Sequence, residues 1–404
     1  MSLIYLDTAR LGQACPQASQ AQLDFCRLSA EDPSMYCEQF FRNGTVEWSA
    51  DKRLLFPSLA RWHGLRTFKT QVARRFGVSS PEFVLLAHRS AQLVRLAARL
   101  MFRKCRNVLA TDLNWPSWQN IVCDEALRCG QRLTNSQITP LVFSDQASAD
   151  DVNERLTEAF IDNGCDGVFL PAVTNLGVRL DTSSLLAKLK ATGGLRFAMI
   201  DSAQSFCHIA SPAPLPLADF TIAGCHKWLR GSLPLGLGIC GRSIVAEQFR
   251  DMLASTPSLF GIDDPLLRFT EQIEHQAVDR YSETVNVAPL FPGNAAVVAT
   301  DFGEAILANQ ERKRTENAEL IRKSVPTPLW QPVETDTSMN SGIVLLQSKS
   351  HDIVHSEPSQ VRSKFLEKRV AISAYKGGLV RLSAPESKDC QMIESLQDAL
   401  ISVA

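Results

Sequence analysis

Lys227 is the residue of this sequence best placed for covalent chemistry. It follows an apolar run and stands between His226 and Trp228 in the stretch Ala218-Asp219-Phe220-Thr221-Ile222-Ala223-Gly224-Cys225-His226-Lys227-Trp228. Among apolar neighbours an ammonium loses its proton more readily, and the free amine can attack a carbonyl to form a Schiff base. Upstream, Asp201 ends the apolar run Phe197-Ala198-Met199-Ile200, and Gln204 and His208 follow it. A carboxylate just past a strand stands where open α/β sheets bind their ligands. Read alone, Asp201 is better explained as the cap of a helix or turn. His208 reads as a packed or hydrogen-bonded histidine. Cys207-His208, Cys225-His226 and Cys240 invite a zinc site, but adjacent residues on a strand face opposite ways and no Cys-x-x-Cys spacing occurs, so no metal is expected.

The elements that must position these residues are short buried strands alternating with helices. Phe83 to Ala87, Val108 to Thr111, Gly167 to Pro171 and Phe197 to Ile200 read as strands; Ser90 to Leu100 and Ser183 to Lys190 read as helices. Such alternation predicts a largely parallel sheet covered on both faces. After Ile200 the rhythm changes: Phe220 to Ala223 and Leu237 to Cys240 are strands joined by a loop containing Gly and Pro. Gly236-Leu237-Gly238 opens no helix and is not a dinucleotide fingerprint. Residues 294 to 324 read as helix. A strand (Gly342 to Gln347), a helix (Gln360 to Lys368), two strands (Val370 to Ala374 and Leu379 to Ser383) and a last helix (Glu386 to Ile401) predict a small α/β domain. The expected domains are 1–45, packing with the small domain, 46–293 as the large domain, and 294–404 as the small one.

Taken together, Asp201-Ser202-Ala203-Gln204, His208, Asp219-Phe220 and His226-Lys227-Trp228, with the tail to Gly238, resemble the fold-type-I pyridoxal-phosphate enzymes. The similarity is greatest to the class V aminotransferase group, which includes cysteine desulfurases and isopenicillin N epimerase-like proteins. It extends over most of the chain: Tyr5-Leu6-Asp7 with Gly12, Asn114-Trp115-Pro116-Ser117, Pro171 to Gly177 and Val380-Arg381-Leu382-Ser383 resemble further family motifs in the family's order. The resemblance implies an α/β fold with a large, mostly parallel sheet and a small C-terminal domain, with pyridoxal 5'-phosphate bound. It implies that Lys227 forms the imine and moves protons at the substrate Cα. Asp201 would keep the pyridine nitrogen protonated, making the ring an electron sink. Gln204 and Asn175 would lie near the phenolic oxygen, and Trp115 would stack on the ring. Arg89, Ser90 and His226 would hold the phosphate at a helix N-terminus, with Thr284 reaching a neighbouring subunit's phosphate. Arg381, with Asn175, would bind the substrate carboxylate.

The sequence departs from the family pattern in three places. Gly224 stands where a phosphate-binding Ser or Thr is usual. Tyr281-Ser282-Glu283-Thr284 matches the Gly-Thr element only in part. No cysteine occurs between Cys240 and Cys390, the interval that carries the persulfide-forming loop cysteine of typical desulfurases, so desulfurase chemistry of that kind is not expected. The resulting expectation is an amino-acid enzyme working through an external aldimine and a quinonoid, by transamination or β-elimination of the C–S lyase type. A racemase or epimerase, and a non-catalytic scaffold, are the alternatives. Arg10, Trp62-His63 and loops between 255 and 292 are candidates to read the substrate side chain.

Composition excludes other classes. With 42 Lys plus Arg against 43 Asp plus Glu, the formal charge of -1 gives no case for nucleic acid or an anionic membrane. No apolar run is long enough to span a bilayer, and the N-terminus lacks a secretory pattern. Eleven scattered cysteines suit reduced thiols, so a cytoplasmic enzyme, homodimeric as the family usually is, is expected.

Overall fold

The computed structural model describes residues 3–35, 38–144, 147–210, 217–255, 264–275, 285–300, 303–387 and 390–404. Strands are numbered in chain order: β1 (Ile4–Tyr5), β2 (Val84–Ala87), β3 (Asn107–Thr111), β4 (Arg132–Ser136), β5 (Gly167–Pro171), β6 (Phe197–Asp201), β7 (Phe220–Gly224), β8 (Gly236–Cys240), β9 (Trp330–Pro332), β10 (Ile343–Ser348), β11 (Val370–Ala371), β12 (Ser373–Tyr375) and β13 (Leu379–Ser383).

Seven strands form the main sheet in the order β2-β8-β7-β6-β5-β3-β4. The β7-β6-β5-β3-β4 run is parallel, and β8 runs antiparallel to both its neighbours. That reversal is why a loop, and not a long helix, joins β7 to β8. Strands covered on both faces read as continuous apolar runs, and β2, β3, β5, β6, β7 and β8 are buried throughout. The strand β4 was not expected. It is the sheet edge, half-exposed and spelled Arg-Leu-Thr-Asn-Ser, so it carries no apolar signature.

The helix Ser90–Lys104 packs its apolar stripe (Leu93, Val94, Leu96, Ala97, Leu100, Met101) into the core on one face of the sheet. Leu156, Phe160, Leu185, Leu186 and Leu189 build the core on the other face. In place of one helix over 294–324 there are two, Leu290–Ala299 and Glu304–Ser324, with Gly303 at the N-cap of the second. The first is almost wholly buried, and its Phe291, Ala295 and Ala296 share a core with Phe25, Phe40 and Trp62.

A second sheet, β12-β13-β10-β9, is antiparallel. The strand expected over Val370 to Ala374 breaks at Ile372. Val370–Ala371 pairs in parallel with β1, whereas Ser373–Tyr375 pairs with β13. The N-terminal segment then runs from β1 across to the main sheet, where Gly12 N–H donates to the His226 carbonyl and Cys15 N–H to that of Arg230. A Cβ on Gly12 would lie 1.9 Å from the Lys227 carbonyl oxygen, so only glycine permits this approach.

Candidate active site

A cavity of about 510 Å³ opens along the carboxyl edge of the parallel strands. The residues just past β2 (His88, Arg89), β3 (Leu113, Trp115), β5 (Asn175), β6 (Ala203, Gln204) and β7 (His226, Lys227) all reach it, with Asp201 at the end of β6. The structure thus brings Arg89, Ser90, Trp115, Asn175, Asp201, Gln204, His226, Lys227 and Arg381 to one site. Thr284 lies outside the described residues. Trp62 is misplaced by the sequence reading: its indole is 1% exposed, packs against Phe68 and Phe291, and donates to the Phe40 carbonyl. A tryptophan beside a histidine reads the same on a surface or in a core until the packing is known.

Lys227 sits in a turn closed by Arg230, whose N–H donates to the Lys227 carbonyl and whose φ is +65°. Burial pulls the Lys227 ammonium down to about 8, and Arg381 adds to the fall while Asp201 opposes it. About a tenth of the amine is therefore neutral at pH 7, far more than an ordinary lysine with a pKa of about 10.4 supplies. Asp201 is 6% exposed, and burial pushes its carboxyl up to about 6 against the pull of the Ala203 N–H and Lys227. Its Oδ1 accepts from Ala203 N at 2.8 Å, which leaves Oδ2 for a ligand.

Gly224 and Gly236 face each other across β7 and β8 and give the cavity a floor without side chains. A Cβ on Gly236 would come within 2.7 Å of Ser90 N, and one on Gly224 within 3.3 Å of the His226 ring and 3.5 Å of Ser90 Oγ. Ser90 begins its helix, and its backbone N lies against this floor, so a helix N-terminus is brought up to it. Its hydroxyl donates to the Ala223 carbonyl at 2.8 Å. Burial, then the charge of Lys227, lowers His226 to about 4, so the ring is neutral; its Nδ1 is buried with no partner. His226 fills the space next to Gly224 where the family pattern puts a hydroxyl.

Gln204 spans the site wall, with Nε2 donating to the Ala9 carbonyl at 2.7 Å and Oε1 accepting from Trp228 Nε1 at 2.9 Å. Behind it His208 stacks on Trp228 at 3.8 Å and accepts from Gly342 N–H, a packed histidine outside the cavity. Trp115 is 41% exposed at the mouth, held there because Asn114 locks the turn through Thr111 and the Phe169 carbonyl.

Arg381 is 3% exposed. Its Nη1 donates to the Asn175 carbonyl at 2.9 Å and Nη2 to Ser373 Oγ at 3.0 Å, while Nε is buried without a partner. Asp7, fully buried, accepts from Ser373 Oγ and Arg10 Nε at 2.5 Å each and lies 3.6 Å from Arg381. The N-terminal motif thus reaches the site through Asp7, Ala9 and Arg10. The sequence reading did not select His88, Trp118, Arg362, Ser373 or Tyr375, all of which line the cavity. Only Ser373 and Tyr375, shortly before the Arg381 motif, carried a positional hint. Among the described residues no three His, Cys, Asp or Glu side chains could share a metal ion, and no helix is long and apolar enough to cross a membrane.

No protein-family model matches this sequence, and no curated protein sequence matches it significantly. Solved structures do. The cysteine desulfurase CsdA of Escherichia coli aligns at TM-score 0.70 and 15% identity, over 99% of this chain and 94% of its own. Alanine–glyoxylate aminotransferase of Nostoc sp. aligns at 0.67 and 13%, over 100% and 95%. The cystine C–S lyase C-DES, in complex with cysteine persulfide, aligns at 0.67 and 15%, over 98% and 97%. In a further structure a C-DES mutant carries glycine covalently linked to its pyridoxal-phosphate cofactor. With its mostly parallel main sheet and second, antiparallel sheet aligned along these whole chains, the protein has the fold of the fold-type-I pyridoxal-phosphate transferases.

Proposed function

We propose that this chain is a pyridoxal-phosphate-dependent enzyme that transforms an α-amino acid, with Lys227 as the anchor of the cofactor. The observation that carries this reading is the meeting, in one cavity, of a lysine lowered to about 8, a buried carboxylate with a free oxygen, and a neutral imidazole whose buried Nδ1 has no partner. The residues fit the group. The floor at Gly224 and Gly236, the helix start at Ser90 and the Nδ1–H of His226 can hold a phosphate, with Arg89 adding charge. Asp201 Oδ2 could receive a pyridinium N–H, Trp115 could cover the ring, and the remaining amide hydrogen of Gln204 and the side chain of Asn175 could meet its oxygen. When bound, the cofactor supplies an electron sink for a bond broken at the substrate Cα.

The chain's own groups then divide the work. Lys227 Nζ would anchor the cofactor and, as the free amine, would take the proton from the substrate Cα and return it. Arg381, oriented by Asn175 and Ser373, binds the substrate carboxylate through its unpartnered Nε side. No cysteine lines the cavity, so no thiol of the described residues is placed to accept sulfur. That favours transamination, or a β-elimination that releases its sulfur product directly. A homodimer is proposed on the family resemblance.

The test is product analysis. Holoenzyme with L-cystine should release pyruvate, ammonia and cysteine persulfide if it is a lyase, or pass nitrogen from an L-amino acid to a 2-oxo acid if it is an aminotransferase. Absence of both, with no spectral change on adding any amino acid, would overturn the reading.

The pH dependence follows from Lys227. Only the free amine attacks an aldehyde, so the rate of pyridoxal phosphate uptake by the apoprotein should rise about tenfold per pH unit well below 8 and level off above it. Asp201 raises the Lys227 pKa; Asp201→Asn removes that influence and should move the plateau to lower pH. Stopped-flow absorbance measures both profiles.

A further inference from the structure

Among the described residues the cavity wall carries Arg10, Arg89, Lys227, Arg362 and Arg381 against a single carboxylate, Asp201. Most of these cations have an anion to meet. Arg10 and Arg381 share the buried Asp7, leaving that group one positive charge, which a substrate α-carboxylate matches. Arg89 stands beside Ser90 on the phosphate side. Arg362 is left over. It is half-buried on the helix Pro358–Glu367, which packs on β12, and it makes no hydrogen bond or ion pair with any described residue. It therefore faces the cavity from the Ser373–Tyr375 side, where the Tyr375 ring lies 5.7 Å from the Arg381 guanidinium.

A partly desolvated guanidinium without a counter-ion is unfavourable unless an anion completes it, and its planar fork suits carboxylate and phosphate oxygens. We infer that Arg362 reads a second anionic group, a carboxylate or a phosphate on the side chain of the amino acid, so that the substrate is an acidic α-amino acid. This rests on the proposed cofactor chemistry and names its substrate class. Arg381 takes the α-carboxylate and Arg362 the distal anion, so the two charges are bound from different elements of the small sheet region, β13 and the helix before β11.

The test is a spectral titration of holoenzyme with matched pairs: L-glutamate and L-glutamine, L-aspartate and L-asparagine, O-phospho-L-serine and L-serine. A bond between charged groups predicts that the wild type binds the anionic member of at least one pair about tenfold more tightly or better, and the pair that shows it separates carboxylate from phosphate. Arg362→Gln should erase this preference and leave the neutral members and the cofactor's own absorption band unchanged. Equal binding of both members of every pair by a wild type that shows its cofactor band would overturn the inference and leave the cofactor reading intact. Absence of that band would overturn both.

Discussion

Lys227→Ala is expected to lower turnover by more than about 10³-fold, because it removes two functions at once. In the proposed reading the covalent anchor is lost, and so is the group that moves the proton at the substrate Cα. The loss should be chemical and not structural. Lys227 makes no side-chain hydrogen bond or ion pair with another described residue, and its turn is held by backbone bonds to Gly12, Arg230 and Gly231 that alanine preserves. Circular dichroism and the denaturation midpoint should therefore match the wild type while steady-state turnover vanishes. A variant that keeps more than about a tenth of the activity would mean that another residue is the proton carrier.

The second large effect is on stability. Lys69, fully buried, is bound to Glu271 at 3.0 Å and to Glu274. Burial alone pulls its pKa down, and the two glutamates more than reverse this, so the ammonium stays charged. Lys69→Met removes the buried cation that joins the two carboxylates, and breaking a buried pair in this way costs about 3–5 kcal/mol. Replacing Glu271 and Glu274 by apolar residues in the same variant should recover most of the loss. Denaturant midpoints measure both. The site should also feel the single change: the helix Pro265–His275 that carries the glutamates is preceded by Asp264, which accepts from His88 N at 2.9 Å and so holds the turn leading to Ser90. Cofactor affinity should fall with stability.

The sequence made the centre of the site readable because its residues lie at strand ends within continuous apolar runs. Asp201 ends β6 and Lys227 follows β7, strands whose every residue is buried, and that pattern needs no tertiary information. The periphery was not readable. Arg362 and Tyr375 come to the cavity only because β12 leaves the β1–β11 pair at Ile372 and joins β13, a break that Val-Ala-Ile-Ser-Ala does not announce. Trp62 could not be placed because aromatic burial depends on partners such as Phe291, far away in sequence. The Lys69 latch joins positions 202 apart, and on its own helix Lys69 reads as an ordinary solvated charge. The substitution at Gly224 became intelligible only with the His226 ring seen against it.

The most direct test of the central claim is borohydride reduction of the wild-type protein with pyridoxal phosphate, followed by digestion and mass spectrometry. A visible Schiff-base band that disappears on reduction, with the cofactor's mass fixed on the peptide containing Lys227, is the predicted result. A protein that shows no such band with excess cofactor, or that carries the reduced adduct on other lysines and not on Lys227, would contradict the account.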